Sequence, residues 1–139
     1  MREILFRAKR LDNGEWVEGY YVKGSTRHCI QKSLSGYPKW DIDLNTLCQY
    51  TGLTDNNGNK IWENDILHCK NRDMVEEADF ITQVEWDDIW KGFIMQDTVN
   101  SAVGLDAINP NVQGIYEVVE HLGNVFDNPE LLKGGGTDD

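Results

Sequence analysis

Between residues 3 and 23 apolar and polar side chains alternate with a period of two, and the alternation breaks at Asp12-Asn13-Gly14. Ile4, Phe6 and Ala8 alternate with Glu3, Leu5 and Arg7; on the return, Trp16, Glu18, Tyr20 and Val22 alternate with Val17, Gly19 and Tyr21. Successive side chains of a strand point to opposite faces, and Asn-Gly supplies the positive φ angles that a tight return demands. The stretch is therefore predicted to be a β-hairpin with Asn13 and Gly14 as turn residues. The same logic applies to 49–67. Two strand-forming runs, Gln49 to Leu53 and Lys60 to Leu67, flank Asp55-Asn56-Asn57-Gly58-Asn59, with Asn57 and Gly58 as the turn. Within the second run Trp62, Ile66 and Leu67 surround a short polar turn, where Asp65 is expected to accept backbone N–H groups.

The remaining pattern is mostly strand as well. His28 to Gln31 and Trp40 to Leu44 predict short strands on either side of a loop at 33–38, and Phe80 to Trp86 pairs with Gly92 to Met95 through a turn at Asp87-Asp88. Residues 101–108 suggest one or two helical turns, ended by Asn109-Pro110. Ile115 to His121 and Gly123 to Phe126 read as closing strands. A final helical turn follows, with Asn128 as its cap and Pro129 at its first position. Short connections between many strands favour an all-β, mainly antiparallel fold, a small barrel or sandwich, over a parallel sheet needing helical crossovers.

Charge changes this picture more than composition does. Residues 1–40 carry eight Lys/Arg against four Asp/Glu, a net of +4, while residues 41–139 carry five against twenty, a net of −15. The acidic part lacks the basic footprint that phosphate neutralisation requires, so a general nucleic-acid binder is not expected. A basic N-terminal face can instead meet an acidic face, including that of a second copy. Glu76, Glu77 and Asp79, with Asp87 and Asp88, are the candidate interaction surface; the bland alternative for the first three is a solvated loop. Three cysteines, at 29, 48 and 69, are odd in number and widely spaced, which fits reduced thiols in a cytoplasm. No apolar run approaches the length of a membrane span.

Candidate chemistry is sparse. His28-Cys29, His68-Cys69, Cys48 and His121 are the possible metal ligands, but neighbours in a strand point to opposite faces and cannot chelate as a unit, so no metal and no cofactor is expected. Asp41, Asp43, Asp65 and the Asp87-Asp88 pair are the possible acid–base groups, and each is better accounted for by turn chemistry. No phosphate-binding loop, nucleophile elbow or zinc-peptidase motif is present, and no catalytic residue is assigned. The many aromatics are read as core and interface packing rather than a base-stacking platform, because only Arg7, Lys9, Arg10 and Lys23 supply nearby cations.

Four blocks in order, MREILFRAKRLDNGEWVEGYYVKG, QYTGLTDNNGNKIWENDIL, VEWDD with KGFIM, and EHLGNVFDNPELL, resemble the YopX family of small phage and prophage proteins of Gram-positive bacteria. The resemblance covers nearly the whole chain. It implies an N-terminal β-hairpin region (1–48) packed on an SH3-type β-barrel (49–132) with little helix, followed by a disordered tail (133–139). It also implies self-association, up to a hexamer, and brings no activity and no catalytic residues. The expectation is a non-enzymatic, self-associating interaction module, with a host or phage protein as a further partner. The alternative is an acidic DNA mimic that inhibits a host nucleic-acid enzyme.

Overall fold

A computed structural model describes residues 4–71, 79–96, 102–108 and 116–134. Among the described residues the chain is all-β apart from two short 3-10 turns and one short helix, and it divides into two compact units, Met1–Gly52 and Leu53–Asp139.

In the first unit β1 (Phe6–Lys9), β2 (Trp16–Lys23), β3 (His28–Gln31), β4 (Lys39–Asp41) and the start of β5 (Cys48–Thr54) form an antiparallel sheet in the order β4-β3-β2-β1-β5. The β1–β2 register, Lys9 opposite Trp16 and Phe6 opposite Gly19, is closed by a turn in which Asn13 Oδ1 accepts the Glu15 N–H and Gly14 has a φ of 75°. Alternation sends Ala8, Ile30 and Ile42 to a small buried cluster that Phe6, Val17, Tyr21, Trp40 and Leu47 cover. On the opposite face of β1, Arg7 and Lys9 lie over the Trp16 ring at 4.6 and 5.5 Å. The strand expected to run from Trp40 to Leu44 stops at Asp41. Asp43 accepts the Asn45 N–H at 3.1 Å and starts a 3-10 turn at Leu44–Thr46 instead, the local side-chain bonding by which Asp competes with extended backbone.

The second unit begins within β5. Its hairpin to β6 (Lys60–Trp62) is closed by Asp55, whose Oδ1 accepts the N–H groups of both Asn57 and Asn59 at 2.9 Å, with Gly58 at a φ of 85°. Asn64, at a φ of 71°, breaks the expected Lys60–Leu67 run at the short polar turn, so β7 (Asp65–Asn71) is a separate strand. β7 lies between β8 (Asp79–Gln83) and β12 (Tyr116–Asn124) in one three-stranded antiparallel sheet; β10 (Gly92–Gln96) lies between β9 (Glu85–Asp87) and β11 (Ala102–Gly104) in another. Thr82 Oγ1, buried on β8, accepts the Gln96 N–H of β10 at 2.9 Å and ties one sheet to the other. Their shared core holds Ile61, Leu67, Cys69, Phe80, Phe93, Met95 and Tyr116 among others.

Two local expectations differ here. Residues 102–104 are a strand and only 105–108 form a 3-10 turn, with Leu105 and Ile108 buried in the core. The two closing strands are one, β12, interrupted by register shifts between Val118 and Glu120 and between His121 and Gly123. The helix α1 (Glu130–Gly134) follows; the Asn128 carbonyl accepts the Leu131 N–H, while its side chain turns back to the Asn124 N–H at 3.3 Å.

Candidate functional site

Two places in the second unit bring polar chemistry and exposure together. The first follows from the bulge in β12. Val118 pairs with Cys69, Glu120 with His68 and His121 with Leu67. Leu67 and Cys69 share a face of β7, so the extra residue after Val118 puts His121 on that face and turns Glu120 away from it. Asp65, two residues before Leu67, occupies the same face at 0% exposure. Its Oδ2 accepts the Trp62 N–H at 2.8 Å and lies 2.8 Å from His121 Nε2. A buried carboxylate needs such partners, because desolvation without them costs several kcal/mol, of order.

The other ring nitrogen of His121 faces Asp55 Oδ2 at 3.9 Å. Partial burial opposes the charge on Asp55, but the N–H groups of Asn59 and Asn57, the Asn59 amide and the neighbouring His121 outweigh it and hold the carboxyl below its ordinary 3.8. A cavity of about 160 Å³ opens here, between the 55–59 turn and β12. The two ring nitrogens point in opposite directions, so Asp55, Asp65 and His121 do not converge on one point. Among the described residues, no group of three His, Cys, Asp or Glu side chains is placed to hold a metal ion.

The second place is the β9–β10 turn. Asp87 Oδ1 accepts the N–H groups of Ile89 and Trp90, both at 2.8 Å, and its carbonyl accepts the Lys91 N–H; Lys91 takes a φ of 58° to close the turn. Asp88 Oδ1 accepts the Trp86 indole N–H at 2.9 Å. The result is a fixed tip carrying Ile89 at 89%, Trp90 at 57% and Trp86 at 41% exposure.

A family model described as "YopX protein" matches residues 5–133. The chain belongs to the YopX family. No curated protein matches it.

In this YopX chain the residues singled out from sequence are distributed as follows. Asn13 and Gly14 close the β1–β2 turn, and Asn57 and Gly58 lie in the 55–59 turn. Asp79 on β8 pairs with His68 at 2.5 Å. Asp87 and Asp88 shape the β9–β10 tip, and Glu76 and Glu77 lie outside the described residues. Asp41 accepts a hydrogen bond from the Cys29 thiol, whose pKa is raised by burial and by that carboxylate. Burial alone pushes the Cys69 thiol up to about 12, far from the thiolate that metal binding or attack requires. Among the described residues no helix is long and apolar enough to cross a membrane. The Asp65–His121 pairing and the Ile89–Trp90 tip were missed from sequence. The former spans 56 positions and depends on a bulge that periodicity does not record. For the latter the apolar Ile89 and Trp90 inside a polar turn were the available signal.

Proposed function

We propose that this protein is a phage- or prophage-encoded, non-enzymatic interaction module that works in the bacterial cytoplasm as a self-associated assembly, up to a hexamer. The observation that carries the reading is the β9–β10 tip. Ile89 and Trp90 are held out by a turn that Asp87 has already ordered, so little conformational freedom remains to be lost on binding. An exposed Trp beside an exposed aliphatic on a preorganised turn is the composition of an interface hot spot. The occupant we assign is a second copy of the chain. Glu85 and Asp88 flank the tip, and residues 1–40 present a net charge of +4 with exposed Leu11 and Val22 among them. Opposite charges on the two faces favour this pairing and set its register.

Residues 49–132 are read as an SH3-type barrel. The double bulge in β12, which bends a strand, and the Thr82–Gln96 bond between the two sheets support that reading. A host or phage protein is a further partner in this proposal, taken by the assembled form.

Light scattering after size exclusion, across protein concentration and salt, is the test. Wild type is expected to be oligomeric, with dissociation promoted by salt and by Ile89→Asp or Trp90→Ala. Each substitution should weaken the contact by ~2 kcal/mol, roughly thirtyfold. A monomer at every concentration and salt overturns the reading. The acidic mimic remains the second reading, favoured by the −15 on residues 41–139. If a DNA- or RNA-handling host protein is captured and then lost when Glu76, Glu77, Asp79, Asp87 and Asp88 are neutralised, that reading replaces the first.

A further inference from the structure

The loop between β3 and β4 is a second exposed apolar element, and its charge is the reverse of that at the β9–β10 tip. It carries Leu34 at 83% and Tyr37 at 72% exposure. Bonds within the loop order it. The Lys32 N–H donates to the Pro38 carbonyl at 2.8 Å, the Gly36 N–H to the Ser33 carbonyl at 3.1 Å and the Ser33 hydroxyl to the Tyr37 carbonyl at 3.1 Å, while Gly36 takes a φ of 96°. Exposed lysines stand at both ends, Lys32 and Lys39, the latter with its Nζ 5.8 Å from the centre of the Tyr37 ring. At the root of the loop Tyr20 of β2 lies opposite Gln31, and Gln31 opposite Lys39, so the half-exposed Tyr20 shares a sheet face with Lys39. The chain has 24 Asp and Glu, yet none falls between Glu18 and Asp41. Glu18 itself stands opposite Arg7 on β1.

We propose that this loop docks the protein on an anionic lipid bilayer, with Leu34 and Tyr37 entering the headgroup region and Lys32 and Lys39 held among the lipid phosphates. An aliphatic side chain, a ring with a polar end and cations at their base are the parts that interfacial anchoring uses. A convex loop suits a fluid surface, which needs no matching pocket. The β9–β10 tip is as exposed, but Asp87 and Asp88 at its base are repelled by the same surface. Carboxylates lying more than ~8 Å from the lipid oppose the contact weakly at physiological salt, because their field is screened over that distance. The contact is peripheral, since no described helix is long and apolar enough to cross a membrane. It does not depend on self-association, although an assembly would present several loops at once and bind more tightly.

The test is co-sedimentation of the full chain with vesicles of phosphatidylcholine alone and of phosphatidylcholine mixed with phosphatidylglycerol. The expected result is binding to the mixed vesicles and none to phosphatidylcholine alone. Lys32→Gln combined with Lys39→Gln should weaken that binding by ~25-fold, ~fivefold for each charge removed. Leu34→Asn leaves the charge as it is and should still weaken binding severalfold, a loss that adsorption by charge alone would not show. All three positions are exposed, and an unchanged far-ultraviolet circular dichroism spectrum reports that each variant is folded. No sedimentation with the mixed vesicles, equal binding to both kinds, or wild-type affinity in either variant overturns the proposal. Poly-L-glutamate supplies the negative charge without a lipid phase. If it binds as tightly as the mixed vesicles and is lost in the same variants, the bilayer is overturned and the loop is assigned to an acidic protein surface.

Discussion

Single residues in this chain earn their identity through backbone geometry more than through chemistry. Gly58 has a φ of 85° and open space where a Cβ would stand, so substitution there tests the backbone alone. Gly58→Val should destabilise the second unit by roughly 1–3 kcal/mol, read as a lower urea midpoint, because a β-branched residue pays for the left-handed conformation with strain. Gly123 differs: besides its φ of 151°, a Cβ would sit 2.2 Å from Asn128 Oδ1, so the side chain that bonds the Asn124 N–H would be displaced as well. Asp55 makes a prediction in pH. Its carboxyl is held below 3.8 in the folded chain, so the native state binds fewer protons there than the unfolded chain does. Its stabilisation is complete above the ordinary carboxyl range and is lost as pH falls through the lower, folded value. The difference in urea midpoint between wild type and Asp55→Ala should therefore be constant from pH 7 to about 5 and shrink below about 4; a difference that grows on acidification would contradict this assignment.

At the scale of elements, the parts legible in the sequence were those specified by neighbours. The β1–β2 hairpin and the 55–59 turn follow from alternation plus Asn-Gly chemistry, and both are set by residues within a few positions of each other. The segment at 102–108 was less legible because Leu105 and Ile108 are placed by a core assembled from distant strands, so a helical spacing of apolar residues ended as a strand and a 3-10 turn. The same limit applies to the candidate site. Asp65 could be read as a turn acceptor, since Trp62 is three residues away, but its partner His121 is brought alongside by the bulge in β12. Such long-range bonds can be tested singly. Thr82→Val keeps the shape of a buried residue and removes the acceptor for the Gln96 N–H between β8 and β10. The loss should be about 1–3 kcal/mol in chemical denaturation, the cost of leaving a buried donor unmet, whereas a neutral result would mean that water reaches Gln96.

Across the whole molecule, the two units differ in how much apolar surface they enclose. The first unit's buried cluster comprises Ala8, Ile30 and Ile42, with half-buried aromatics around them, in 52 residues. Chains of that length bury only ~60% of their unfolded surface and are marginal by themselves. Among its described residues the second unit buries eleven hydrophobic side chains in one cluster and satisfies its buried polar groups at Asp65, Thr82 and Asn124. It follows that a fragment comprising residues 53–139 should fold alone, with a single cooperative thermal transition in far-ultraviolet circular dichroism and the dispersed amide spectrum of a β protein. Residues 1–52 alone should give a broad transition at lower temperature or none. In the intact chain, fluorescence from Trp16 and Trp40 should then be lost before that from Trp62, which is 2% exposed; replacing each tryptophan by Phe separates the signals. Coincident transitions from all of these probes would mean that β5, which begins in the first unit at Cys48 and runs past Gly52 into the second, transmits cooperativity along its backbone. An unfolded 53–139 fragment would show that the larger core depends on residues before Leu53, against the account given by its buried cluster.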